Sequence, residues 1–233
     1  MKIAGLQKMT LLDYPGKVAC TVFLEGCNFR CPFCHNSQLL GSDAPAVMEK
    51  DQLLEFLSRR RGLLDGVCIT GGEPTLCPEL ETLLQSIKAM GYSLKLDTNG
   101  SRPQVLRRLV EAELVDHVAM DVKNAPSRYP ATCGIPGPDL HRIEESLTFL
   151  MSDAVDYELR TTLVAQLHDA PAMEEMGQWL HRLGHAKQLY LQSFVDRETV
   201  PVSGLSAPNK AEILLFRDIL TQYVDRVDIR GMD

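Results

Sequence analysis

Six short runs rich in β-branched and apolar residues, at 18–24, 66–70, 93–97, 116–121, 157–163 and 188–194, alternate with amphipathic segments at 50–61, 78–90, 103–112, 140–151, 172–183 and 208–223. Nothing else in the chain constrains its fold as strongly. Apolar runs bounded by turn residues read as strands buried on both faces, and strands alternating with helical patterns build βα units around a parallel sheet. Several helical segments open on Pro or Asp, as helix starts do. Six units are fewer than the eight of a closed barrel, so the expected architecture is α/β, an open partial (β/α)6 barrel in a single domain over residues 1–233. Before the first run, Leu11-Leu12-Asp13-Tyr14-Pro15-Gly16-Lys17 sets a Pro-Gly turn between apolar stretches, which predicts a short N-terminal hairpin covering one end of the sheet. Residues 124–139, broken by Pro126, Pro130, Gly134, Pro136, Gly137 and Pro138, predict a long irregular surface loop.

Composition narrows the partners. The net charge of −7 argues against a phosphate-tracking surface, so no nucleic acid is expected, and a protein or small molecule is. No apolar run could span a bilayer, and Met1-Lys2-Ile3-Ala4-Gly5 is not followed by a secretory pattern; the expected location is the cytoplasm, off the membrane. In that reducing compartment, three of the seven cysteines crowded into Cys27-Asn28-Phe29-Arg30-Cys31-Pro32-Phe33-Cys34 read as metal ligands and not as a disulfide framework.

The spacing C-x3-C-x2-C brings three soft thiolates to one compact loop, which suits three corners of an iron–sulfur cluster. A structural zinc site needs a fourth ligand, and His35, directly after Cys34, is awkwardly placed to chelate. A zinc-stabilised adaptor that only docks a partner is therefore the competing class. Thr70-Gly71-Gly72-Glu73-Pro74 closes the second strand: two glycines allow backbone to approach a ligand, and the carboxylate can receive an ammonium. Taken alone it is also an ordinary βα turn. Cys20 and Cys68 fall within strands and read as small buried hydrophobes, Cys77 and Cys133 lie in expected turns, and His168 follows a strand end in an expected loop.

Cysteine triad after the first strand and Gly-Gly-Glu-Pro after the second together resemble the radical S-adenosylmethionine (SAM) superfamily. The fold implied is the partial barrel of the radical SAM type. In that family three cysteines hold a [4Fe–4S] cluster, here Cys27, Cys31 and Cys34, and the open iron chelates SAM. One electron cleaves the sulfonium to methionine and a 5′-deoxyadenosyl radical. A narrower match, through Leu11–Lys17, Gly26-Cys27-Asn28, Cys34-His35-Asn36, Asp97-Thr98-Asn99-Gly100 and Met120-Asp121-Val122-Lys123, is similar to the activating enzymes of glycyl-radical proteins. Between Cys34 and Gly71 stands one cysteine, Cys68, inside an expected strand and without cluster spacing, so members with a ferredoxin-like insertion match less well.

The narrower resemblance implies a protein substrate, an anaerobic ribonucleotide reductase, and a low-potential electron donor such as flavodoxin or ferredoxin; a radical SAM enzyme of a small molecule is the alternative within enzymes. It also implies a site. Phe33, Cys34 and His35 would pack around the adenine with Asn36 nearby, Gly71, Gly72 and Glu73 would bind the SAM amino group, and Asp97, Thr98 and Asn99 would meet ribose or a cation. A monovalent cation would use Asp97, Thr98, the Ala119 carbonyl and Asp121. Lys123 would neutralise the SAM carboxylate, and Arg160 and Gln192 lie on later strands where relatives contact SAM.

Overall fold

The computed structural model describes residues 1–41 and 45–231. They divide into two compact units, one formed by residues 1–28, 38–98 and 104–119 and the other by residues 29–37, 99–103 and 120–233.

In the first unit, β1 (Lys2–Ile3) and β4 (Met48–Glu49) form a small antiparallel pair, while β2 (Gly5–Thr10) runs antiparallel to β3 (Ala19–Leu24). Helix α1 (Lys50–Ser58) leads to β5 (Gly66–Gly71), α2 (Leu80–Lys88) to β6 (Ser93–Thr98), and α3 (Pro103–Glu111) to β7 (His117–Asp121). The strands lie in the order β6-β5-β3-β2, and β3, β5 and β6 are parallel. The apolar stripe of α2, Leu80, Leu83, Leu84 and Ile87, is fully buried with Leu53 and Leu57 of α1 and with Val67, Ile69, Leu94 and Leu96 of the strands. The expected hairpin is present, but β2 pairs along the length of β3 and extends the sheet sideways. At its turn Tyr14 is buried, its ring lying against Gly66, where a Cβ would stand 2.9 Å from it.

The second unit receives the end of β7 and continues through α4 (Tyr129–Cys133), α5 (Leu140–Met151), β8 (Asp156–Leu163), α6 (Ala170–Leu183), β9 (Gln188–Ser193), α7 (Lys210–Leu220) and β10 (Arg226–Arg230). The strands follow in the order β7-β8-β9-β10, with β8, β9 and β10 parallel. Side-chain caps start the helices: Asp169 accepts from the Ala172 N–H at 2.9 Å, and Asn209 and Glu212 form a reciprocal capping box at 3.0 and 2.8 Å. Trp179, Met176 and Leu180 of α6 meet Ile213, Phe216 and Leu220 of α7 in the core.

The structure corrects the reading of residues 124–139 as an irregular surface loop. Pro126 opens a 3₁₀ turn, Pro130 stands in the first turn of α4, and Gly134, at φ 69° and ψ 25°, ends that helix in the left-handed conformation. Asn124, Ala125, Tyr129, Thr132 and Cys133 are buried, so Cys133 closes a helix and does not lie in an open turn. Strand β10 is an addition to the six expected strands. Among the described residues no helix is long and apolar enough to cross a membrane.

Candidate active site

In the first unit, the Gly-Gly turn after β5 lies against the end of β3 and the start of the cysteine loop. The Gly72 N–H donates to the Leu24 carbonyl at 2.9 Å and the Glu73 N–H to the Gly26 carbonyl at 2.7 Å. Gly71 is held at φ 118°, and a Cβ on Gly72 would come within 2.6 Å of the Gly26 carbonyl carbon. Both positions require glycine, one for its dihedral and one for the close approach. Gly26 and Cys27 are in turn held by N–H bonds of 2.7 and 3.3 Å to the carbonyls of Leu39 and Leu40.

Glu73 is 1% exposed, and its Oε1 accepts from the Thr75 N–H (3.1 Å), the Thr75 hydroxyl (2.5 Å) and the Thr98 hydroxyl (2.8 Å). The carboxylate thus caps the 3₁₀ turn Pro74–Leu76 and ties it to the end of β6. Further along that strand Asp97 Oδ1 lies 2.6 Å from Lys95 Nζ and accepts from the Cys68 thiol at 3.7 Å. Lys95 and Asp97 are two residues apart and share a face of β6, and Cys68 is the β5 partner of Lys95 in the register. Ala119 is buried in β7. Cys20 and Cys68 are fully buried, as their strand positions predict.

In the second unit, Cys31 is buried and Cys34 partly so, and the loop has one internal backbone bond between them, Cys34 N–H to the Cys31 carbonyl at 3.2 Å. Further ties run to distant segments. The Arg30 N–H donates to the Cys133 carbonyl at 2.8 Å, and the Val202 N–H donates to the Pro32 carbonyl at 3.3 Å. His35 Nε2 lies 2.6 Å from the Val195 carbonyl with its ring stacked on Phe194, centroids 5.6 Å apart, and the Ser37 hydroxyl donates to the Thr199 carbonyl. Phe33 is buried; Asn36 offers its N–H to the Cys34 thiol. Burial pushes that thiol above its ordinary pKa, against the pull of the Asn36 N–H and the Lys123 charge.

At the end of β7, Asp121 is clamped between two cations, Arg160 Nε at 3.0 Å on Oδ1 and Lys123 Nζ at 2.9 Å on Oδ2. Burial alone would raise its carboxyl pKa, but Arg160 and Lys123 outweigh it and hold the group down to about 2. Burial likewise opposes the Lys123 charge, and Asp121, with Cys31 next, raises its pKa instead. The Lys123 backbone is fixed on both sides, its N–H donating to the Tyr129 hydroxyl at 3.3 Å and its carbonyl 3.0 Å from His168 Nε2. His168 follows β8 in the loop expected of it, and it is buried there, 3% exposed. Asn99 is buried, accepting from the Ser101 N–H at 3.0 Å, and Gln192 is half-buried on β9, opposite Thr162 of β8 and Arg230 of β10.

Among the described residues no three His, Cys, Asp or Glu side chains gather into a preformed ligand cluster, so the triad is defined by its loop. Sequence reasoning passed over Lys95, which alternates with Leu94 and Leu96 in β6 and so gives no signal of burial, and over Arg230, which makes bonds of 2.8 and 3.2 Å to the buried Glu158 and lies 3.3 Å over the Tyr190 ring.

The sequence pattern of the Radical SAM superfamily matches residues 21–163. A Methanocaldococcus jannaschii protein named, provisionally, a glycyl-radical enzyme activating enzyme is 29% identical over 99% of this chain and 96% of its own. The pyruvate formate-lyase 1-activating enzyme of Escherichia coli strain K12 is 23% identical, with 97% of each chain aligned. Among solved structures, native anSMEcpe with bound AdoMet matches with a TM-score of 0.64 at 17% identity, over 89% of this chain and 61% of that one. A domain of pyruvate-formate lyase-activating enzyme from Bacteroides vulgatus matches with a TM-score of 0.58 at 21% identity, over 71% of this chain and 99% of that one. These structural likenesses establish the α/β fold, a mostly parallel sheet with helices, as the strand alternation predicts.

Proposed function

Because this chain belongs to the radical SAM superfamily, whose enzymes use a [4Fe–4S] cluster and SAM, we propose that it activates a glycyl-radical enzyme by removing one hydrogen atom from a glycine Cα, and that its partner is an anaerobic ribonucleotide reductase. The bound cluster would supply the single electron that breaks a carbon–sulfur bond of SAM. Everything else falls to the chain's own residues.

The chemistry of the donor set fits the cluster: Cys27, Cys31 and Cys34 offer three soft thiolates from one loop and would hold three irons. The observation that carries the reading is the Gly71-Gly72-Glu73 turn bonded to Gly26, directly beside Cys27. A turn of this kind presents backbone carbonyls and a carboxylate to an ammonium next to the cluster loop. Thr75 and Thr98 keep Glu73 in one rotamer, so the SAM amino group meets a pre-oriented acceptor. Lys123 and Arg160, fixed by Asp121, supply positive charge to the SAM carboxylate. Phe33, His35 and Asn36 line the adenine, Asp97 and Asn99 the ribose, and Gln192 adds a polar contact from β9. The activase half of the reading is supported by the name of the M. jannaschii relative and by that of the E. coli enzyme, each similar over nearly its full length. The electron would come from flavodoxin or ferredoxin in the cytoplasm.

The test mixes the anaerobically purified protein with SAM, a reductant and the reductase carrying α-deuterated glycine. The reading predicts a glycyl radical signal by electron paramagnetic resonance and deuterium in 5′-deoxyadenosine. Label arriving instead from a metabolite, with none from any glycine, assigns the enzyme to a small molecule.

A further inference from the structure

The monovalent cation implied by the resemblance does not fit the residues that are present. Two of its four implied ligands are carboxylates, and these attract an ion most strongly where their charge is still to be balanced. Asp97 already has the Lys95 ammonium at 2.6 Å and the Cys68 thiol at 3.7 Å on the same oxygen. In the other unit, Asp121 divides its two oxygens between Arg160 and Lys123. Each acid that would hold the ion carries a cation of the chain itself.

Lys95 is 2% exposed and stands between Leu94 and Leu96 in the middle of β6. A lysine is almost never placed there for packing, because removing its charge from water is costly unless a partner offsets it. Asp97 is that partner, itself 14% exposed. We infer that the Lys95 ammonium takes the place of the alkali-metal ion beside the proposed SAM site, so that the protein works without potassium or sodium. A tethered cation loses no translational freedom on binding and cannot be washed out. The inference deepens the proposed SAM site and rests on it, but is independent of which substrate donates the hydrogen.

The test measures SAM affinity and Tm of the cluster-loaded protein in potassium, sodium and tetramethylammonium chloride at one ionic strength. The wild-type protein should give the same values in all three. Lys95→Ala, which removes the charge and opens space, should bind SAM roughly tenfold more weakly in tetramethylammonium. It should recover affinity and Tm saturably in potassium or sodium. A saturable gain by the wild-type protein in either alkali salt overturns the inference, as does a Lys95→Ala protein that weakens without alkali rescue, since Lys95 is then only structural. Should Lys95→Ala fail to fold in tetramethylammonium, the wild-type comparison still decides. The double variant Lys95→Met with Asp97→Asn, lacking both charges, should fold with no alkali response; an alkali-dependent Tm there counts against Asp97 as the anion that Lys95 balances. SAM binding that is absent in every salt points to failure of the proposed SAM site itself.

Discussion

Replacing Gly134 by Ala asks whether the cysteine loop is positioned from outside itself. Gly134 lies at φ 69°, where an L side chain costs about 1–2 kcal/mol. A Cβ there would stand 2.5 Å from the Arg30 carbonyl carbon and 3.3 Å from its Cα, nearer still to the carbonyl oxygen, and all three are backbone atoms that cannot swing aside. Relief has to come from separating α4 from the loop by about 1 Å, against an ordinary contact distance of roughly 3.5 Å. That displacement strains the 2.8 Å bond from the Arg30 N–H to the Cys133 carbonyl, one residue before the buried Cys31. Overpacking of this kind typically costs about 1–3 kcal/mol, giving a total of roughly 2–5 kcal/mol with the backbone contribution. Gly62 is the matched control, at φ 77° with nothing within 4 Å of a Cβ, so Gly62→Ala should lose only the backbone share. Urea melts of both variants measure the difference, and iron and sulfide per chain after anaerobic reconstitution report whether the loop still holds its cluster. The expected result is a larger loss for Gly134→Ala, by about 1–3 kcal/mol, together with reduced iron. Equal losses in the two variants with full iron in Gly134→Ala refute the idea that α4 braces the loop.

Replacing any one of Cys27, Cys31 or Cys34 by Ala should abolish SAM cleavage and lower bound iron, whereas Cys68→Ala should keep its iron; a SAM-cleaving cluster in Cys31→Ala rules out the assignment. Glu73→Gln preserves an acceptor for Thr75 and Thr98 but removes the charge, so equilibrium dialysis should show weaker SAM binding at unchanged iron content and nearly unchanged Tm. Equal loss of iron and SAM would make the turn structural only. Burial depresses the His168 pKa below its ordinary 6.5, so the folded chain favours the neutral ring while the unfolded chain takes up the proton. Stability from this site is complete above pH 6.5 and is lost as the pH falls below it, and His168→Gln should flatten that part of a stability–pH curve; an unchanged slope would assign the loss to other groups.

The fold was legible where local chemistry decides it. The expected strand at 18–24 is found at Ala19–Leu24, that at 66–70 at Gly66–Gly71, and the helix at 140–151 at Leu140–Met151. β-Branched runs between turn residues have little alternative to a buried parallel sheet. β10 escaped because Arg226-Val227-Asp228-Ile229-Arg230, although it alternates charged with apolar residues as a half-buried strand does, is only 5 residues long with Val227 and Ile229 as its apolar positions. Its polar residues are satisfied by distant partners, Arg230 by Glu158 and Asp228 by Gln188, which no local window contains. Residues 124–139 failed for a different reason. Proline and glycine were weighed as breakers, whereas Pro126, Pro130 and Gly134 each occupy a position where a short helix tolerates or demands them.

At the site, the same division separates donors from the scaffold that aims them. Cysteine spacing and the Gly-Gly-Glu turn are local and could be read directly, because the residue type itself carries the chemistry. Lys95 could not, since a lysine in an alternating strand normally points to solvent, and only the structure shows it buried against Asp97. The cysteine loop makes the point most fully. A backbone bond joins Cys34 to Cys31, while Cys133, Val195, Thr199 and Val202 supply contacts that fix Arg30, His35, Ser37 and Pro32. A loop that borrows its conformation from α4 and from the segment after β9 can be disordered by a substitution far from any cysteine. The spacing of the three thiols therefore states what the loop can bind, and the packing of residues 129–134 and 194–202 states whether it is held ready to bind it.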